Sequence, residues 1–197
     1  MASALAKSFA AIFSPRKHIK IAIIGLDEAS GIDLLKRLSS TPVKKKRDDK
    51  IRVRVYTGTK SSLKCDFDFV AVEVGGCAPV ACDLYTAAQF GDADGFIWVV
   101  NSADTEALAE SRNEMENARK GRSLGQGLEQ PGVDSEAPWL VLVDFKQNPL
   151  SIAEATRQAE LVTVNSGDGL DWTVRAVSTT TSEGLREAIG WLYNKVK

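Results

Sequence analysis

Two short runs of consecutive apolar residues limit most strongly what this chain can fold into. They are Phe96–Val100 and Trp139–Val143. A strand that is apolar at every position must be covered on both faces, because successive side chains point to opposite sides of a sheet. The two runs therefore predict central strands of a sheet that carries helices on both of its faces.

Further strand and helix patterns alternate along the chain. The other strand-like segments are Ile21–Ile24, Ile51–Tyr56, Phe67–Val74 and Trp172–Val177. Helical patterns fall between them, at about residues 30–39, 79–90, 104–120, 151–161 and 182–196. This alternation predicts an α/β fold with a mostly parallel sheet of six strands and helices on both faces.

The length and composition favour one domain. A chain of 197 residues with 44% hydrophobic content can bury one full core, so we expect residues 19–197 to form a single domain. Within it, residues 121–138 are rich in Gly, Pro and polar residues, and we interpret them as a long surface loop that cannot sustain a helix or strand. No apolar run is long enough to cross a bilayer, so no transmembrane segment is predicted.

The cysteines favour a reducing, intracellular environment. Cys65, Cys77 and Cys82 are odd in number and lack the spacing of a zinc site or a disulfide framework. We therefore expect neither a disulfide nor a bound metal.

The N-terminal residues 1–18 form an amphipathic, basic segment with Leu5 and Phe9 on one helical face. Position 2 is Ala2, so the N-myristoylation motif is missing and anchoring to a membrane would be marginal. The lack of acidic residues before Asp27 also resembles a mitochondrial targeting sequence. A short helix that packs on the domain or on a partner is the third interpretation. The choice between cytoplasm and mitochondrion stays open.

The charge of the chain is strongly asymmetric. Residues 1–60 carry 14 Lys/Arg against 5 Asp/Glu, whereas the remainder carries 11 against 21. The candidate interaction residues of the basic half are Lys44, Lys45, Lys46, Arg47, Arg52 and Arg54. Such a patch attracts acidic protein, anionic lipid or nucleic acid through a field that salt screens. The alternative is a solvated loop followed by an edge strand that its charges protect from aggregation.

The segment from Ile21 to Asp33 has the layout of a phosphate-binding loop without its working residues. A β-branched run enters a turn at Gly25, and a helical pattern follows. In the pattern G-x-x-x-x-G-K-[ST], backbone N–H groups and the lysine hold phosphates while the hydroxyl binds Mg²⁺. Counted from Gly25, the last three positions of that pattern hold Ser30, Gly31 and Ile32.

Five segments, in order and spacing, resemble the Arf family of small GTPases. They are Gly25–Asp27, Val72–Cys77, Gly95–Asp104, Leu142–Asn148 and, at the C-terminus, Val177–Thr180 followed by Glu183–Leu185 and Trp191–Leu192. The family reads G-L-D-x-A-G-K-T-T, W-D-V-G-G-Q, G-[LI]-I-[FW]-V-V-D-S-x-D and N-K-Q-D at the first four places. The resemblance spans about residues 19–194 and implies a P-loop small-GTPase-like fold.

The resemblance also implies altered phosphate and metal positions. The family's phosphate lysine falls on Gly31, and its Mg²⁺-ligating threonine falls on Ile32, which cannot ligate a metal. The aspartate that reaches the metal through water falls on Glu73. Counting back from there places Arg54 at the first-switch threonine, with Thr57 and Thr59 nearby as alternatives. The remaining positions of this part of the site are Gly25, Ser30 and Gly76.

The water-orienting and base-reading positions are altered as well. The family's glutamine, which orients the attacking water, falls on Cys77. The guanine-reading asparagine falls on Phe145 and the aspartate on Asn148, while Lys146 is retained. A neutral Asn148 cannot accept two hydrogen bonds from guanine, because one end of its amide is a donor.

These departures lead to a functional expectation. We expect a catalytically inactive Arf-like pseudo-GTPase, not an enzyme, that serves as an accessory interaction subunit of a larger protein complex. No cofactor or metal is expected, and weak GTP or GDP binding is the alternative. The partners would be other protein subunits, with peripheral contact to an anionic membrane as an addition and nucleic acid not favoured. The alternative function is a divergent Arf-like GTP-binding regulator of membrane trafficking.

Overall fold

The computed structural model describes residues 16–25, 28–48, 53–62, 65–74, 90–101, 105–125, 128–133, 136–145 and 171–196. Its strands are β1 (Lys17–Gly25), β2 (Lys44–Asp48), β3 (Val53–Ser61), β4 (Cys65–Val74), β5 (Gly95–Asn101), β6 (Gly121–Gly125), β7 (Leu128–Pro131), β8 (Trp139–Asp144) and β9 (Trp172–Val177). Its helices are α1 (Glu28–Leu38), α2 (Thr105–Lys120) and α3 (Leu185–Lys195).

Seven strands of the described part form one sheet, in the order β2-β3-β4-β1-β5-β8-β9. All neighbours from β4 to β9 run parallel, and β3 is antiparallel to both β2 and β4. The predicted P-loop small-GTPase-like α/β fold with a mostly parallel sheet is therefore confirmed. The prediction of six strands is one too low, because the basic residues 44–48 form a strand and not a solvated loop.

The core consists of two apolar layers, one on each face of the sheet. Along β1, Ile21 belongs to one layer and Ala22 to the other, as the alternation of a strand requires. Leu35 of α1 and Leu192 of α3 cover the first layer, and Met115 of α2 packs in the second. The apolar runs of β5 and β8 contribute to both layers, which confirms their prediction as central strands with helices on both faces.

The predicted helices agree with the structure where it describes them. The pattern at 104–120 corresponds to α2, and the pattern at 182–196 corresponds to α3. Gly184 precedes α3 with φ of 69°, and an added Cβ would lie 2.6 Å from the Ala176 carbonyl oxygen, so this position needs glycine. The predicted helices at 79–90, except Phe90, and at 151–161 lie outside the described residues, as do residues 1–15.

Residues 121–138 differ from their prediction. The statement that this segment cannot sustain a strand is wrong, because β6 and β7 pair as an antiparallel two-stranded sheet. The two residues between these strands end in Gly127, a connection length typical of tight hairpins. Further along, Val133 is buried and its N–H donates to the Ala118 carbonyl at 2.9 Å. The backbone hydrogen bonds between β6 and β7 stabilise these strands, although their residues have weak intrinsic strand propensity.

Candidate functional site

The sequence-predicted site residues converge at one edge of the sheet. Gly25 ends β1, Glu73 is the second-last residue of β4, and Phe145 directly follows β8. In register, Gly25 pairs with Val99 of β5, and β5 continues to Asn101 opposite Asp144. The carboxyl ends of parallel strands lie at the same edge, which is where open α/β sheets bind their ligands.

Close packing against β5 explains the glycine at the end of β1. A Cβ added to Gly25 would lie 2.4 Å from the Val99 carbonyl oxygen, so the strand could not keep its position with a larger residue. α1 begins at Glu28, which leaves residues 26–27 between strand and helix.

The three altered motif positions lie within α1 and not in a loop. Ser30 and Gly31 are buried, and Ile32 is half-buried. A Cβ added to Gly31 would meet the Ile23 Cγ2 atom at 3.6 Å, which is an ordinary van der Waals distance. The backbone at position 31 thus has room for a Cβ.

Glu73 is held by two donors from the neighbouring strand. Arg54 lies directly opposite it in the β3–β4 register, and its Nη1 donates to Glu73 Oε1. The Tyr56 hydroxyl donates to Glu73 Oε2 at 2.5 Å. The hydrogen bond from Tyr56, and then the charge and hydrogen bond of Arg54, hold the pKa of Glu73 below its ordinary value.

Lys45 completes this group of side chains. It pairs with Tyr56 across β2 and β3, and its Nζ lies 5.4 Å from the centroid of the Tyr56 ring. Its positive charge also lowers the pKa of Glu73. We call these four residues the Glu73 cluster; its members are Lys45, Arg54, Tyr56 and Glu73. With two cations and one carboxylate, the cluster carries a net positive charge.

The Glu73 cluster does not fit a divalent cation. Each carboxylate oxygen of Glu73 already accepts a hydrogen bond, one from a guanidinium and one from a phenol. The position where the family has its metal-ligating threonine carries Ile32, which offers no oxygen ligand. Among the described residues, no group of three or more His, Cys, Asp or Glu side chains is placed to hold a metal ion.

The end of β8 is occupied by a buried carboxylate that the sequence analysis did not single out. Asp144 is fully buried and accepts hydrogen bonds from the Thr179 backbone N–H at 3.0 Å and the Thr179 hydroxyl at 2.5 Å. An aspartate directly after the apolar run Trp139–Val143, with a run of Ser and Thr at 178–182, was the available signal. The pair joins the end of β8 to the segment between β9 and α3.

Phe145 also faces inward. It is 9% exposed and packs with the second apolar layer, and its N–H donates to the Val177 carbonyl at 3.0 Å. A phenyl ring offers no hydrogen bond to a base. Lys146 and Asn148 lie outside the described residues, as do Gly76, Cys77 and Arg52.

An open cavity of about 520 Å³ lies beside the Asp144–Thr179 pair. The described residues that line it are Asp33, Lys36, Arg37, Thr179 and Thr180. Arg37 Nη2 donates to the Thr180 carbonyl at 3.2 Å, and Lys36 Nζ lies 2.9 Å from Asp33 Oδ1. The volume is within the range of small-ligand sites, while its polar side chains already make the hydrogen bonds given above.

The basic candidates on β2 are on the surface. Lys44, Lys45, Lys46 and Arg47 are all exposed, and their strand is the terminal strand of the sheet in the described residues. Arg54 is half-buried and belongs to the Glu73 cluster, so the six basic candidates do not form one uniform patch. Every helix in the part that the structure describes is too short or too polar to span a bilayer.

Solved structures show the same fold. The structure of the Arl6 BBS3 small GTPase from Trypanosoma brucei with bound nucleotide analogue GppNp matches with a TM-score of 0.59 and 18% identity, covering 91% of this chain and 98% of that chain. The G domain of the FeoB iron transporter of T. maritima matches with a TM-score of 0.57 and 14% identity, covering 91% and 99%. The fold is therefore that of small GTPase domains.

The sequence comparisons identify the family. The profile of the ADP-ribosylation factor family matches residues 5–196, and this chain belongs to that family. ADP-ribosylation factor-like protein 3 of Chlamydomonas reinhardtii is 27% identical over 178 residues, covering 90% of each chain. ADP-ribosylation factor-like protein 1 of Saccharomyces cerevisiae is 24% identical over 199 residues, covering 100% of this chain and 98% of the relative. The resemblance to the Arf family is thus confirmed.

Family membership corrects one expectation. The prediction that the chain is not an enzyme and has lost GTP hydrolysis is contradicted, because the family consists of GTPases and a solved relative is a small GTPase with a nucleotide analogue bound. The prediction relied on the side chains at the phosphate, metal, water-orienting and base-reading positions. The family match, which covers residues 5–196, is the finding that overturns the prediction.

Proposed function

We propose that this Arf-family protein works as an accessory interaction subunit that docks to an acidic protein surface in a larger assembly, with β2 as the docking element. The observation that carries the proposal is the exposed basic strand at the sheet edge, Lys44–Arg47. Alternate residues of a strand point to opposite faces, so β2 presents lysine on both sides of the sheet edge. The family assignment supports an intracellular role, and the choice between cytoplasm and mitochondrion stays a prediction.

Charge complementarity favours an acidic partner over a second copy of the basic half. Four consecutive cations repel another such strand, and this protects the edge from self-pairing. The same four cations attract an acidic surface and speed its encounter with β2. Peripheral contact with an anionic membrane would use the same charges, whereas nucleic acid is not favoured.

The proposal includes weak binding of guanine nucleotide. Gly31 supplies no cation for a phosphate, and Phe145 supplies no hydrogen bond for the base. Charge-assisted hydrogen bonds contribute about 1.5–3 kcal/mol each, so two missing ones lower affinity by roughly two to four decades. We therefore expect micromolar or weaker affinity, in contrast to a tight nucleotide-binding switch.

The docking role is tested by charge reversal with a matched control. The test variant is Lys44→Glu with Lys46→Glu on β2, and the control is Lys120→Glu with Arg186→Glu on exposed positions of α2 and α3. Both variants change the net charge equally. Tagged full-length chains are purified from their native cells, and the co-purified proteins are quantified by mass spectrometry.

The wild type is expected to co-purify with acidic subunits. The β2 variant is expected to lose these subunits, whereas the control is expected to retain them. Circular dichroism melting of both variants excludes unfolding as the cause. If both variants keep the subunits equally, the docking element is not β2 and the proposal fails.

A second candidate is a divergent Arf-like GTP-binding regulator of membrane trafficking. It is favoured by the match to two ADP-ribosylation factor-like proteins over at least 90% of this chain. Calorimetric titration of nucleotide-stripped protein with GTP and with GDP separates the candidates. Submicromolar affinity for either nucleotide favours the regulator, whereas affinity weaker than micromolar favours the interaction subunit.

A further inference from the structure

Three features of the Glu73 cluster bear on whether it can bind a metal ion: its location, its hydrogen bonds and its burial. The carboxylate lies at the carboxyl end of β4, beside the end of β1 where the chain turns into α1. Its two oxygens accept hydrogen bonds from Arg54 and Tyr56 of the adjacent strand. Both partners of the ion pair are shielded, with side-chain exposures of 32% for Arg54 and 25% for Glu73.

A guanidinium opposite Glu73 differs from a metal ion in that its charge is permanent and in that it is attached to the chain. Arginine is always protonated in proteins, and it is tethered to the chain. A divalent cation, in contrast, is lost to a chelator or to dilution. The positive charge opposite Glu73 is therefore permanent, and the second cation, on Lys45, lies on the same side of the neighbouring strand over the Tyr56 ring.

The register between β3 and β4 determines which side chains reach Glu73. Arg54 and Glu73 are direct cross-strand partners, and Tyr56 is two residues further on the same strand, on the same face. The guanidinium and the phenol thus reach the carboxylate from adjacent places on one strand face. A metal ion that approaches the carboxylate would meet the positive charges of Arg54 and Lys45, and it would compete with both hydrogen-bond donors for the carboxylate lone pairs.

We infer that Arg54 is a built-in substitute for a divalent cation at Glu73, so that this site excludes Mg²⁺ and the nucleotide affinity of the chain does not depend on Mg²⁺. The first part needs no nucleotide. The second part rests on the proposed weak nucleotide binding, and the two parts are tested separately.

The first test measures thermal unfolding of the full chain without nucleotide, in millimolar Mn²⁺ and in EDTA. The wild type is expected to unfold at the same temperature in both. Arg54→Gln removes the positive charge opposite Glu73 and is expected to unfold at a higher temperature in Mn²⁺ than in EDTA. The double variant Arg54→Gln with Glu73→Gln is expected to lose this difference. Arg37→Gln, which removes an arginine away from Glu73, is the matched control and should behave like the wild type.

Two results overturn the inference. One is a Mn²⁺-dependent shift in the wild type that disappears in Glu73→Gln, because the site would then accept a metal beside Arg54. The other is the lack of any Mn²⁺ effect on Arg54→Gln, because Glu73 would then have no affinity for a cation that Arg54 could replace. Mn²⁺ electron paramagnetic resonance on the same samples reports the bound ion directly and does not depend on how stable each variant is.

The second test measures GDP affinity with Mg²⁺ and with EDTA. The expected ratio of the two dissociation constants is within about twofold for the wild type, whereas a tenfold ratio corresponds to about 1.4 kcal/mol and overturns this part. If the chain binds no GDP at all, the proposed weak nucleotide binding fails and this second part with it. The result of the Mn²⁺ test stands independently.

Discussion

The buried Asp144–Thr179 pair provides the sharpest prediction, because one substitution removes one hydrogen bond at nearly constant shape. Thr179→Val replaces the hydroxyl, which donates to Asp144 at 2.5 Å, by a methyl group. The backbone N–H of residue 179 keeps its own hydrogen bond to the carboxylate. The substitution therefore withdraws one charge-assisted donor from a carboxylate that is fully buried.

The expected loss of unfolding free energy is about 1.5–3 kcal/mol, the range for hydrogen bonds to charged groups. For a chain of this size, each kcal/mol corresponds to about 2–4 °C in the melting temperature, so we expect a decrease of roughly 3–12 °C. Urea unfolding and thermal unfolding, both followed by circular dichroism, measure the two quantities. The denaturant slope should stay unchanged, since the surface exposed on unfolding is the same.

Two controls make this prediction refutable. Thr179→Ser keeps the hydroxyl and should retain most of the stability, whereas Thr180→Val removes a hydroxyl from the adjacent, exposed position and should change stability by less than about 0.5 kcal/mol. If Thr179→Val loses no more stability than Thr180→Val, the Asp144–Thr179 hydrogen bond does not join β8 to the segment before α3 in the way described.

Three other predictions concern Gly25, the pH dependence of Glu73 and the altered motif positions 31 and 32. Gly25→Ala should cost more than about 1 kcal/mol in unfolding free energy, because its Cβ would lie 2.4 Å from the Val99 carbonyl oxygen; chemical denaturation measures it. The pKa of Glu73 in the fold lies below its ordinary 4.5, so the ionised carboxylate stabilises the fold at pH values above 4.5. This stabilisation is lost as the pH falls through the lowered pKa. The stability advantage of the wild type over Glu73→Gln should therefore shrink in acid. Restoring the motif with Gly31→Lys and Ile32→Thr should raise GTP affinity by about 10–100-fold in calorimetry.

Each of the three has a result that contradicts it. Wild-type stability of Gly25→Ala would mean that β1 and β5 are further apart at this edge than described. A stability difference for Glu73→Gln that stays constant from neutral to acid pH would mean that Glu73 is not preferentially ionised in the fold. Unchanged GTP affinity of the restored variant would mean that positions 31 and 32 are not the phosphate and metal positions.

Much of the fold was predictable because the relevant signals are local. The runs at β5 and β8 are apolar at every position, and only a strand covered on both faces accommodates that pattern. The strand β2 was not predictable in this way, since Lys44–Arg47 has no apolar alternation. It forms by pairing with β3, whose own pattern is clear. The hairpin of β6 and β7 likewise depends on cross-strand hydrogen bonds that propensity does not report.

The candidate site was predictable in its location but not in its contacts. Motif counting placed Gly25, Glu73 and Phe145 at strand ends, where the structure has them. It did not predict that Tyr56 donates to Glu73, or that Asp144 is held by a threonine 35 residues later. Such partners are distant in sequence, and only the sheet register and the packing of α3 bring them together.

The sequence by itself determined the class of this protein, since the order of apolar strands, glycine turns and helices along the chain already specifies a small-GTPase-type sheet and the Arf family. The tertiary structure alone decided which charge faces Glu73. Register places Arg54 opposite that carboxylate and Tyr56 two residues away on the same strand face, so a guanidinium supplies the positive charge that a metal ion would otherwise bring. The physical reason is that hydrophobic periodicity depends on residues close in sequence, whereas an ion pair across a sheet depends on the register of two strands.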